Sequence, residues 1–409
     1  MLSTRPIQAA ILAVMLLLPA MAFAADVPTI HNPAVPADGV RTITLEEMWR
    51  RGGDDDQELM FGAIRRAVVD TDGTVYLLDS QLCEVNVLSP GGELIRTIGR
   101  LGDGPGEFRN PTDLCLMPDG TIAVTQMFPG RIIKMTRGNE PAGTITIGDP
   151  TQGAYYMARG LKRGGDTVVL GVAEQHVDQD SGRSTRESFI GTFTPEGMRD
   201  VTYASRTSVI DHRNLCYDEV VLGEGPDRRY AVAPSGDVVT AEPRNGYELK
   251  IYAPDGSLRR IFTREYKPWK RNKRARGIQE RMLTTLRDRN APHASIHFED
   301  TEPDIASLRV ADDGRIWVLT SRARWEPPKD AFARYDVFTP DGRFAEQVLV
   351  QCEGDALRDA LVFCGDRVFR ITDFHSAALA SFGGDGLDGE PEPMRVICYQ
   401  VRGGDGERG

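Results

Sequence analysis

Apolar residues along this chain fall in short alternating runs of about five, such as Thr74-Val75-Tyr76-Leu77-Leu78 and Arg315-Ile316-Trp317-Val318-Leu319. That period of two is the signature of half-buried strands. The runs are separated by two recurring kinds of turn. One is Asp-Gly or its equivalent: Asp72-Gly73, Asp119-Gly120, Gly164-Gly165, Ser235-Gly236, Asp313-Gly314 and Gly365-Asp366. The other reads Leu88-Ser89-Pro90-Gly91-Gly92, Phe193-Thr194-Pro195-Glu196-Gly197, Tyr252-Ala253-Pro254-Asp255-Gly256 and Phe338-Thr339-Pro340-Asp341-Gly342. Proline presets one turn residue and glycine takes the positive φ, so each is a tight hairpin. Strand, Asp-Gly turn, strand, loop, strand, Pro-x-Gly turn, strand is a four-stranded meander. One meander leaves both faces uncovered, so successive meanders must stack.

Six turn markers predict an all-β fold, a six-bladed β-propeller of four-stranded antiparallel blades. Blades one to five begin near Ile64, Thr112, Met157, Arg229 and Ile305. The sixth, from about Asp359, supplies three strands: around Leu361–Phe363, Arg367–Ile371 and Met394–Val401. Arg41-Thr42-Ile43-Thr44-Leu45-Glu46 is the natural donor of the fourth, closing the ring and removing an open edge. Arg51-Gly52-Gly53-Asp54 followed by Phe61 echoes Arg100-Leu101-Gly102-Asp103 followed by Phe108, which supports that placement.

The stretch Ile98-Gly99-Arg100-Leu101-Gly102-Asp103-Gly104-Pro105-Gly106-Glu107-Phe108, then Pro111 and Asp119-Gly120-Thr121-Ile122-Ala123-Val124, resembles an NHL repeat. It is similar to the bacterial exported six-bladed propellers related to that family. The close wording covers one blade, with degenerate versions along the rest. The resemblance implies a fold and leaves function open, since such scaffolds serve binding and several chemistries.

Composition agrees with a packed, turn-rich domain: 40% hydrophobic, 27% charged, with 42 glycines and 25 prolines. Residues 1–24 read as a signal peptide, with Arg5, the apolar run Ile11–Leu18, and Ala22-Phe23-Ala24 before the cleavage point. Pro19 and the shortness of the run disfavour a membrane anchor. No cysteine stands where a lipid would attach. The expected organisation is therefore a linker over 25–40, the propeller over 41–403 and a flexible tail over 404–409, in a periplasmic or secreted protein. Cys83, Cys115, Cys216, Cys352, Cys364 and Cys398 permit disulfides in such a compartment. Cys352 with Cys364, or Cys364 with Cys398, are the pairs to test; the alternative is buried free thiols. The net charge of −11 argues against a nucleic-acid surface.

If both glycine turns lie on one face of the ring, the longer loops crowd the other and form the face suited to a ligand. Arg109, Arg131, Arg244, Tyr247, Arg322, Arg324, Trp325 and His375 lie in or beside those loops. Arginine forks match carboxylate or phosphate, and aromatic faces take sugars or apolar rings, so these are the ligand-binding candidates. The loop Gly102–Gly106 lacks the Gly-Lys-Ser/Thr ending of a phosphate loop and reads as structural. Asp385-Gly386-Leu387-Asp388-Gly389 lacks the spacing of a calcium loop.

Between blades four and five lies a helical insertion over about 264–304. It has a helix near Ala275–Arg289 whose apolar side is Ile278, Met282, Leu283 and Leu286. Residues 259–289 hold twelve Lys/Arg against three acids, offering a docking element for an acidic partner around Lys270, Arg271, Lys273 and Arg274. The expected function is non-enzymatic binding of a small ligand or protein partner through the loop-rich face. The alternative is a lyase or lactonase holding calcium or zinc in the central channel, with His176, His212 and His375 from different blades as the donors to check. No Gly-x-Ser-x-Gly elbow is present.

Overall fold

The computed structural model describes residues 27–380 and 392–403. Strands β1 (Thr29–Asn32) and β2 (Val40–Gly52) precede the repeats. The first antiparallel meander is β3 (Ile64–Val69), β4 (Val75–Asp79), β5 (Glu84–Leu88) and β6 (Leu94–Ile98). The second is β7 (Pro111–Leu116), β8 (Ile122–Gln126), β9 (Arg131–Met135) and β10 (Pro141–Thr146). The third has longer strands: β11 (Ala154–Gly164), β12 (Thr167–Asp178), β13 (Arg183–Phe193) and β14 (Arg199–Asp211). A short β15 (Cys216–Asp218) and helix α1 (Glu219–Gly223) lead to the fourth: β16 (Tyr230–Val232), β17 (Val238–Thr240), β18 (Glu248–Tyr252) and β19 (Leu258–Arg264). Helix α2 (Lys273–Asn290) and β20 (Ser295–His297) fill the insertion. The fifth meander is β21 (Ile305–Val310), β22 (Ile316–Thr320), β23 (Ala333–Phe338) and β24 (Phe344–Gln351), with helix α3 (Ser321–Trp325) in its second loop. The last has β25 (Ala360–Cys364), β26 (Arg367–Ile371) and β27 (Arg395–Gly403), with α4 (Phe374–Ala380) after β26.

Both families of turn glycine adopt positive φ: +83° at Gly73 and +79° at Gly120, +91° at Gly92 and Gly342. At Gly92 a side chain would also strike Trp49, whose indole Nε1 donates to Pro90 O at 3.0 Å. The hydrophobic core lies between blades rather than inside them. Tyr76, Leu78 and Val85 of the first meet Leu114 and Val124 of the second, and Ala123 and Ile132 meet Leu170 and Phe189 of the third. Ile190 and Tyr203 then meet Tyr230 and Tyr252, Val239 and Leu249 meet Ile305 and Val318, and Val337 and Val348 meet Val368 and Ile397. Ile64 and Leu77 pack against Phe369 and Val396 of the last, which closes the circle. The chain is a mainly-β propeller, a ring of antiparallel blades with few helices.

The N-terminal segment closes the ring as the sequence suggests: β2 pairs antiparallel with β27, from Ile43↔Gly403 to Gly52↔Arg395. It also does more. Its first residues pair in parallel with β24, Val40↔Gln347 to Thr44↔Gln351, so one strand joins the last two blades in a single sheet. The stretch expected as a linker over 25–40 contains β1, which adds a fifth, parallel strand to the fourth blade (Thr29↔Ile261 to Asn32↔Arg264). Helix α2 covers the expected range, capped by Asn272, whose side chain accepts from Ala275 N at 2.9 Å. Ala275 and Leu283 are buried, and β20 pairs with β15, which anchors the insertion.

All six cysteines are free thiols. Burial pushes the Cys115, Cys352 and Cys398 thiols up to about 12. No helix among the described residues is long and apolar enough to cross a membrane. The expected leader, the Asp385–Gly389 loop and the 404–409 tail lie outside the described residues.

Candidate anion-binding channel

The innermost strand of each blade must turn some residues toward the axis. In four of them a one-residue bulge interrupts the ladder at the same place: between Ile64 and Arg66, Pro111 and Asp113, Ala158 and Gly160, and Ile305 and Ser307. A bulge adds a residue and re-aims its neighbours. The inserted residues are Arg65, Thr112, Arg159 and Ala306. Along the axis runs a cavity of about 690 Å³ whose walls include Arg66, Lys162, Arg309, Trp317, Tyr335 and Phe363.

The charges in this shaft are unequal. Arg66 Nε lies 3.3 Å from Asp113 Oδ1, and Asp113 Oδ2 accepts from Leu161 N at 2.9 Å. Lys162 donates to the carbonyl oxygen of Tyr230 and stands 4.3 Å from the centre of that ring. Arg309 stacks over Phe363 and Trp317 at 4.4 and 5.2 Å. Neither Lys162 nor Arg309 has a carboxylate within salt-bridge distance among the described residues. Burial, with Arg66 adding its like charge, lowers the Lys162 ammonium to about 8. Burial lowers Arg309 too. Toward the turn face the wall carries Asp70, Asp312 and Asp366 together with Arg163.

A second basic group stands at the third and fourth blades. Asp227, in a one-turn helix over Pro226–Arg228, has a side chain sealed from solvent. Arg159 Nη1 donates to its Oδ2 at 3.0 Å, and Arg228 Nε lies 3.8 Å from the same oxygen. Arg186 on β13 feels this carboxylate and Arg159, and its buried Nε has no acceptor. Burial, then the charge of Arg159, brings Arg228 down to about 10. Two guanidiniums thus share one carboxylate, and the charge of Arg186 adds to theirs.

The loop residues expected at the site separate into groups. Arg109 is spent on Asp103 at 2.9 Å, and Arg131 lies near the same acid with its Nε buried and unpaired. Arg244 is held by Glu219, Glu224 and the carbonyl of Thr301. Tyr247 is sealed in the core and donates to Asp336 Oδ2 at 2.7 Å. Arg322 donates to Lys267 O at 2.9 Å and faces Tyr266. Arg324, Trp325 and His375 do meet: Arg324 Nη2 donates to His375 Nδ1 at 3.4 Å, and its guanidinium lies 5.6 Å from the Trp325 ring centre. Arg271, expected on the docking surface, is buried between Glu219 and Glu302. It belongs to the fold of the insertion, and burial with two carboxylates explains why.

The three histidines considered as metal donors go to separate partners: His176 to Glu174, His212 to Ser184 and His375 to Arg324. Among the described residues no three His, Cys, Asp or Glu side chains converge as a metal site. Among the described residues the waist presents the cations Lys162 and Arg309.

What the residues define is a β-propeller with a basic waist. No family model matches the chain, so the NHL resemblance rests on its wording alone. No curated protein matches either. Among solved structures it is similar to virginiamycin B lyase from Staphylococcus aureus (8% identity, TM-score 0.40, covering 87% of this chain and 99% of the other). It is also similar to a candidate exported protein of Bacteroides fragilis (10%, TM-score 0.45, 92% and 100%). A third is the calcium-binding protein regucalcin from Agrobacterium tumefaciens (10%, TM-score 0.39, 89% and 97%).

Proposed function

We propose that this protein is an exported six-bladed propeller of the NHL-related kind that binds a small anionic ligand in its central channel, entered from the loop-rich face. The observation that carries this reading is the pair Lys162 and Arg309, two cations lining one cavity, neither with a carboxylate within salt-bridge distance among the described residues. An uncompensated buried charge is costly, and a ligand carboxylate or phosphate removes that cost. The guanidiniums around Asp227 favour the approach of an anion.

The test uses mature protein recovered from the periplasm or medium, with Ala25 as its first residue. Carboxylates, phosphate and neutral sugars are titrated by calorimetry and thermal shift. Anions are expected to raise the melting temperature with one saturable site, and Lys162→Met/Arg309→Met to abolish that response. Equal responses to neutral sugars, or an unchanged response in the double variant, would sink the idea.

A further inference from the structure

We propose that Arg324 and His375 form a second anion site, sized for one small carboxylate, in a crevice between the last two blades. The crevice holds about 140 Å³, with Leu319, Ala323, Phe332 and Leu361 in its wall and Arg324 and His375 among its polar lining. It adjoins the channel, since Ser307 and Tyr335 line both. Arg324 comes from α3 and His375 from α4, which are the second loops of adjoining blades. The site does not depend on the waist, because neither residue takes part there.

The guanidinium of Arg324 is half-buried and lacks a counter-anion among the described residues. Its one side-chain acceptor is His375 Nδ1 at 3.4 Å, an imidazole that must be unprotonated on that nitrogen to accept. The carboxylate whose charge reaches it, Glu302, is engaged by Arg271 Nε at 2.7 Å. The acid in the crevice wall, Asp359, is also taken. It accepts from Asp373 N at 3.0 Å and Asp355 N at 3.3 Å, with Arg370 at 3.5 Å. Trp325 supports the fork and is itself stacked on Trp269, planes 8° apart and centres 6.5 Å apart. A fixed guanidinium with free donors takes a planar carboxylate on two parallel hydrogen bonds. The apolar walls suit a short alkyl tail and leave no room for a nucleotide.

Acetate and its neutral isostere acetamide are the probes, on the full mature chain with labelled histidine followed by NMR. Acetate is expected to shift the His375 signals saturably and to raise its titration midpoint, since a bound anion offsets the charge of Arg324. Acetamide should do neither. Arg324→Gln should weaken the acetate response by about tenfold or more. Lys162→Met/Arg309→Met should leave it intact, so this site and the channel can fail separately. No saturable response of His375 to acetate in the wild-type chain overturns the proposal, and so does an equal response to acetamide. Those two outcomes need no variant to fold.

Discussion

Lys162 gives up most of its hydration to stand in the shaft, keeping one hydrogen bond to Tyr230 and the face of its ring. Its ammonium is lowered from 10.5 to about 8, chiefly by burial. Between those two values the unfolded chain binds more protons than the folded one, so this residue's contribution to stability rises with pH. Below about 8 the full cost of the buried charge is present. Lys162→Met is therefore expected to be more stable than the parent at pH 7, with the gap closing by pH 10. Urea titrations at the two values decide it; a gap that widens with pH would contradict the assignment. The charges of this layer were present in the sequence and still went unread. Arg66, Lys162 and Arg309 sit within the strand runs Ile64–Val69, Ala154–Gly164 and Ile305–Val310, where no local mark separates them from a solvated strand charge. The available signal was charge on the innermost strand, where an outward position does not exist.

Among the elements, β1 shows how little sequence a structural part can need. Thr29-Ile30-His31-Asn32 has a single large apolar residue and no alternation to notice. Its anchor is Asn32, buried between the fourth and fifth blades. Asn32 Nδ2 donates to Thr263 O at 3.0 Å and Gly342 O at 2.9 Å, while Oδ1 accepts from Phe344 N at 2.7 Å. Asn32→Ala strands a buried donor and a buried acceptor, which costs about 2–4 kcal/mol. Chemical denaturation should show that loss with an unchanged slope. Hydrogen exchange at Phe344 should quicken; normal protection there would mean the amide finds another partner. The repeats themselves were legible because their turns leave few choices. Gly52, Gly99 and Gly148 all take positive φ with an aromatic ring pressed on the α-carbon, Phe61, Phe108 and Tyr156. Phe61 and Phe108 are also the rings that end the two echoing stretches, Arg51–Asp54 and Arg100–Asp103, that placed β2. The helix of the insertion was legible from its apolar spacing, whereas the burial of Arg271 was not, since Glu219 lies 52 positions away.

For the molecule as a whole, the ring depends on one strand shared between blades. Removing residues 27–52 leaves β24 and β27 with open edges and strips Ile43, Leu45 and Trp49 from two core clusters. The shortened chain is expected to lose its single cooperative transition and to associate edge to edge, visible by calorimetry and size exclusion. Adding a 27–52 peptide in trans should restore part of the monomer; a truncated chain that stays monomeric with an unaltered melt would refute the dependence. The same architecture explains why function was less legible than fold. Turn chemistry is written locally, but the channel takes its charges from separate blades, Arg66 from the first, Lys162 from the third and Arg309 from the fifth, so no contiguous motif announces it.

The shared strand also sets a schedule. Ile43 is made early, and its partner Gly403 comes 360 positions later (403 less 43). At about 5–20 residues per second, that is roughly 20–70 s of synthesis before β27 is complete, and β24, the other edge that takes β2, ends only about 50 positions sooner. The chain therefore emerges with its clasp first and its catch last. Until β27 is delivered, the nascent protein is a stack of blades with two sticky rims, and whatever escorts it must shield β2 until its partner edges are made.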